Sequence, residues 1–78
     1  MKVVAITKKQ CPRCVQAKNL LEGDTRVTWL NHQTPTAQKL IADHDLKDKA
    51  APIFIIDDTT VEESILRVKM MLDNAQER

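Results

Sequence analysis

Seventy-eight residues suffice for one domain with a thin core. At 42% hydrophobic and 29% charged residues, the composition is that of a folded globular domain and not of a disordered chain. A net charge of +1 gives no overall pull toward nucleic acid or an anionic membrane, and the lone glycine, Gly23, excludes a glycine-rich phosphate loop.

The run MKVVAIT, Met1 to Thr7, is apolar and β-branched and ends at Lys8-Lys9-Gln10. It is expected to form a strand buried on both faces. CPRCVQAKNLLEG follows and reads as a helix. Pro12 suits the first helical position, Cys14, Ala17, Leu20 and Leu21 recur at helical spacing, and Gly23 is a C-terminal stop. RVTWLN, Arg26 to Asn31, reads as a second strand, with Trp29 packed on its face. TPTAQKLIADHD reads as a second helix, capped by Thr34, with Pro35 at its first position and Ala37, Leu40 and Ile41 as its apolar stripe. The lysine-rich stretch Lys47 to Lys49 reads as a solvated loop.

APIFIID, Ala51 to Asp57, is the strongest strand signal, with its proline at the start, where a strand tolerates one. A turn at Asp57-Asp58-Thr59 leads to a very short strand at Thr60-Val61. From Glu62 to about Asn74 the chain reads as a third helix, with Ile65, Leu66, Val68, Met71 and Leu72 inward and Glu62 and Glu63 favouring its dipole. Residues 1–78 thus form a single α/β domain in the order β-α-β-α-β-(β)-α. Its strand–helix–strand start implies a parallel pair with a right-handed crossover.

The two cysteines, Cys11 and Cys14, stand at i and i+3, just after a strand and at the opening of a helix. Two cysteines are too few for a disulfide-stapled secreted fold, and a close pair in a reducing compartment points to catalysis or metal binding. At the helix N-terminus the unpaired N–H groups and the dipole stabilise a thiolate at Cys11, the form that acts as nucleophile. Cys14, one turn deeper on the same face, is close enough to resolve a mixed disulfide. Lys8, Lys9, Arg13 and Lys18 add positive charge nearby. Two other readings exist. Inert buried thiols are at odds with the polar neighbours of Cys11. A zinc site needs four ligands, and His32 and His44 lie too far apart for the usual spacing. The histidines are expected on the solvated surface, and no metal site is expected.

C-P-R-C at Cys11 to Cys14, Val15-x-Ala17-Lys18 in the helix, Ala51-Pro52 about forty residues on at the head of an Ile/Phe-rich strand, and a closing helix together resemble the glutaredoxins, a branch of the thioredoxin-fold superfamily. The resemblance covers nearly the whole chain. It implies a thioredoxin-like (glutaredoxin) fold: a mixed four-stranded sheet flanked by three helices, with the first two strands parallel and the last two antiparallel. It also implies that Pro52 is cis and faces the CxxC loop, and that the backbone of Ala51 pairs with extended substrate. Pro12, Lys8, Lys9 and Arg13 join the substrate-binding set, the last three as electrostatic tuners.

The sequence departs from the family in two places. Arg13 stands where glutaredoxins usually carry Tyr or Phe. A cation beside Cys11 is expected to stabilise the thiolate and make the pair more oxidising than in an Arg13→Tyr variant. Glu62-Glu63-Ser64 stands where the family has the Gly-Gly clamp for the γ-glutamyl end of glutathione, a place where glycine lets backbone approach a ligand. Two glutamates bring bulk and negative charge toward an anionic tripeptide, although Lys8 or Lys9 could bind its other end.

The expected protein is a thiol–disulfide oxidoreductase with no tightly bound cofactor, a monomer that reduces protein disulfides such as that of ribonucleotide reductase. Glutathione or a thioredoxin-reductase-type flavoprotein would supply its electrons. The N-terminus shows no secretory h-region and no apolar run approaches about 18 residues, so the expected location is the cytoplasm, with no membrane and no nucleic-acid partner. The alternative is a non-catalytic thioredoxin-fold module that uses the Cys11 face only to dock another protein.

Overall fold

The computed structural model describes residues 1–75. Its elements are β1 (Val3–Thr7), α1 (Pro12–Leu20), β2 (Val27–Asn31), α2 (Pro35–Asp43), β3 (Ile53–Ile56), β4 (Thr60–Glu62) and α3 (Ile65–Ala75). The strands form one mixed sheet in the order β2-β1-β3-β4. β1 runs parallel to β2 and antiparallel to β3, and β3 runs antiparallel to β4. This is the four-stranded sheet and three-helix arrangement expected from the sequence.

Alternation along the strands sorts the core into two layers. Val3 and Ala5 of β1, with Phe54 and Ile56 of β3, face α1 and α3, where Ala17, Leu21, Val68 and Leu72 meet them. Val4 and Ile6, with Ile53 and Ile55, face the other way, onto Ala37 of α2 and Leu46. All of β1 is buried, which is why it reads as a continuous apolar run. The β3–β4 hairpin closes with Thr59 N–H donating to the Ile56 carbonyl, while Asp57 and Asp58 both take positive φ, as a type I′ turn requires.

Some expectations need correction. Leu20 and Leu66 were expected on inner faces but are 40% and 68% exposed. Helical spacing admits either neighbour of a buried position: of Leu20 and Leu21 only Leu21 enters the core, and of Ile65 and Leu66 only Ile65 packs against it. The third helix does not begin at Glu62. β4 extends through Glu62, and α3 starts at Ile65, with the Ser64 hydroxyl accepting from Arg67 N–H as its cap. Among the described residues, no helix is long and apolar enough to cross a membrane.

The turn from α1 into β2 is tied by an ion pair. Gly23 takes φ +81°, and beyond it Asp24 accepts from the Arg26 backbone N–H, Nε and Nη2 at 3.0, 2.9 and 2.7 Å. The Arg26 side-chain hydrogen bonds hold the Asp24 carboxyl below its ordinary range, against a smaller opposing effect of burial. A carboxylate with a depressed folded-state pKa contributes stability above its unfolded value, about 3.9, and loses that contribution as the pH falls. Asp24→Asn is therefore expected to lower the melting temperature at pH 7, with the gap to wild type closing as the pH drops below about 4. A gap that persists unchanged in acid would contradict the pairing. Phe54, fully buried at the centre of the first layer, is expected to cost about 3–5 kcal/mol when cut to alanine, measured by urea unfolding.

Candidate active site

The site forms at the end of the sheet where β1 leaves the core. Lys8 and Lys9 follow β1 in an exposed turn, and Gln10 takes a left-handed φ of 52°, uncommon for a residue with a β-carbon. That turn delivers Cys11 as the N-cap of α1, with extended backbone and Pro12 at the first helical position. Cys11 Sγ accepts from the Cys14 backbone N–H at 3.1 Å, and the Cys11 carbonyl accepts from Val15 N–H. The sulfur thus occupies the place a serine or aspartate oxygen holds in an ordinary cap, the setting that favours a thiolate.

Cys11 and Cys14 are joined as a disulfide, with their Cα atoms 5.2 Å apart. The two sulfurs differ in access. Cys14 is 3% exposed and packs beneath the helix, whereas Cys11 is only half-buried. Across from them the Ala51-Pro52 peptide bond is cis. Cys11 Sγ lies 3.8 Å from the Ala51 carbonyl oxygen, a line along which the reduced thiol has a proton to donate. Pro52 is fully buried at the base of the site, and Ala51 is nearly so.

The structure brings Cys11, Cys14, Pro12, Arg13, Ala51 and Pro52 to one end of the fold. Lys8 lines a small cleft of about 160 Å³ beside Ala51, together with His32, Gln38, Lys47 and Lys49. Lys9 is exposed and does not line that cleft. Arg13 is exposed on α1. Its Nη2 donates to the Glu63 carbonyl at 3.2 Å, so the guanidinium ties α1 to the junction between β4 and α3. Among the described residues, no group of three His, Cys, Asp or Glu side chains is placed to hold a metal.

Three features escaped the sequence reading. His32 was expected in solvent, yet it is half-buried, with Nδ1 enclosed and no hydrogen-bond partner among the described residues. Lys49, expected in a solvated loop, pairs with Glu63 at 3.3 Å. The two glutamates do different things, and neither lies in the first turn of α3. Glu62 Oε2 accepts from the backbone N–H groups of Glu63 and Ser64, both at 3.1 Å, and so braces the entry to the helix. Glu63 accepts from Arg13 at its carbonyl and pairs with Lys49 at its carboxylate. Its partners lie fourteen and fifty positions away in sequence, and no local signal marks them.

No protein-family model matches this chain, and no curated protein matches it. Among solved structures it is similar to a thioredoxin-like protein, crystallised as a mutant form, with a TM-score of 0.64 and 22% identity. The match covers 91% of this chain and 96% of the other. The chain therefore has a thioredoxin-like fold, and it carries a CxxC pair at the N-terminus of α1.

The unequal access of the sulfurs makes a direct prediction. In the reduced protein, iodoacetamide should alkylate Cys11 at least about tenfold faster than Cys14, since the helix N-terminus and exposure both favour it. Peptide mapping by mass spectrometry after short exposure reads the order; equal labelling would contradict the assignment.

Proposed function

We propose that the protein is a glutaredoxin-like thiol–disulfide oxidoreductase, a dithiol electron carrier that reduces protein disulfides. One observation carries the reading: a Cys11–Cys14 disulfide caps a helix beside the Ala51 carbonyl, with its outer sulfur reachable and its inner sulfur enclosed. A structural staple has no need of an accessible sulfur at a helix N-terminus.

In the proposed cycle the reduced Cys11 thiolate attacks one sulfur of a substrate disulfide and expels the other as a thiolate. The product is a mixed disulfide between Cys11 and the substrate. Cys14, deprotonated, then attacks Cys11 Sγ, releases the second substrate thiolate and leaves the Cys11–Cys14 disulfide. Two electrons pass from the protein to the substrate. The Cys14 N–H, already directed at Cys11 Sγ, stabilises charge on that sulfur whenever it is the thiolate. The Ala51 backbone offers an extended substrate its pairing edge, with Pro12 and Pro52 shaping the walls.

Ribonucleotide reductase is a candidate client, and the reducing cytoplasm is the compartment that suits a cycling dithiol. Glutathione or a thioredoxin-reductase-type flavoprotein would return the electrons. Supplying NADPH with glutathione and its reductase, or with thioredoxin reductase, identifies which one recycles the oxidised protein; recycling by neither would count against the reading.

Cys14→Ser should leave the first attack intact and abolish resolution. With an oxidised protein substrate such as insulin, the variant is expected to accumulate a covalent adduct on Cys11, visible on a non-reducing gel and released by dithiothreitol. Absence of both adduct and wild-type insulin reduction would favour a docking module instead.

A further inference from the structure

Glu63 contacts two cations, one from the CxxC helix and one from the loop before Ala51. Arg13, between the two cysteines in sequence, donates to the Glu63 carbonyl, and Lys49, two residues before Ala51, pairs with the Glu63 carboxylate. Glu63 therefore links the CxxC helix, through its backbone carbonyl, to the loop that leads to Ala51, through its carboxylate. Glu62 takes no part, since its carboxylate is spent on the backbone of Glu63 and Ser64 and on Arg67. Lys49 and Glu63 are 47% and 42% exposed, so their pair is weak and can open.

We propose that the Glu63 carboxylate tunes the charge selectivity of the Cys11 site, by pairing with Lys49 and setting a negative charge against anionic disulfides. The inference rests on the oxidoreductase reading above and names the class of substrate that Glu63 disfavours within a site otherwise rich in cations: small disulfides whose arms carry carboxylates. Neutral or cationic disulfides escape the repulsion. The step itself is the cycle already described, in which the Cys11–Cys14 dithiol gives two electrons to the disulfide and releases two thiols.

The test needs no external electron donor. The protein is reduced with dithiothreitol, desalted, and mixed with one of three small disulfides: dianionic dithiodipropionate, neutral hydroxyethyl disulfide or dicationic cystamine. Acid quenching and alkylation follow the loss of its thiols. Glu63→Gln keeps the backbone carbonyl for Arg13 and removes only the charge. It is expected to raise the ratio of anionic to neutral rates about fivefold, an effect of the size expected for one nearby charge under partial screening. Lys49→Gln leaves Glu63 uncompensated and should lower the same ratio. Asp73→Asn removes an equal charge beside Lys69, at the opposite end of the sheet, and should leave the ratio within about twofold of wild type. A ratio unmoved by Glu63→Gln, unmoved or raised by Lys49→Gln, or moved equally by Asp73→Asn overturns the assignment while the oxidoreductase reading stands. Failure of the wild-type protein to reduce even the neutral disulfide overturns both.

Discussion

Strand β1 hydrogen-bonds on both edges and is buried on both faces, and the geometry of the site depends on it. Parallel pairing with β2 and antiparallel pairing with β3 fix its register, so the point where it ends is fixed as well. Four residues past Thr7 stands Cys11, already the cap of a helix. The same register sets Ile6 of β1 opposite Ile53 of β3, one residue past Pro52. The sulfur and the Ala51 carbonyl meet because two adjacent antiparallel strands begin and end at the same edge. Loss of packing under β1 would therefore degrade the site without touching any residue in it.

The cap geometry explains why the two cysteines differ in access. An N-cap side chain lies outside the helix and accepts from an N–H three residues on, and here that N–H belongs to the second cysteine. Helical spacing then puts the Cys14 side chain on the buried face with Ala17 and Leu21. One sulfur is partly open to solvent and the other is enclosed.

Much of this was legible in the residues. Pro12 and Pro35 marked helix starts, the Thr34 hydroxyl caps α2 as expected, and apolar runs at Val3–Thr7 and Ile53–Ile56 became the two central strands. What escaped had a common cause. The role of Glu62 depends on where β4 ends, and that is set by pairing with Phe54 across the sheet. The contacts of Arg13 and Lys49 depend on how α1 and the loop before Ala51 converge on Glu63, a tertiary fact with no periodicity to betray it. His32 looks like a surface group until the fold sets it in a cleft with Gln38 and Ile41, where Gln38 Nε2 donates to its carbonyl. Local chemistry located the sulfurs, but the charges around them were assigned only once the chain was folded.

The central claim is that Cys11–Cys14 is a working redox couple and not a staple, and its reduction potential tests that most directly. Oxidised protein equilibrated in dithiothreitol or glutathione buffers of graded ratio, quenched and alkylated, gives the fraction reduced at each poise. The account expects one reversible two-electron transition between about −120 and −270 mV, the range of thiol–disulfide carriers. A pair that stays oxidised until below about −300 mV, as structural disulfides do, would contradict it.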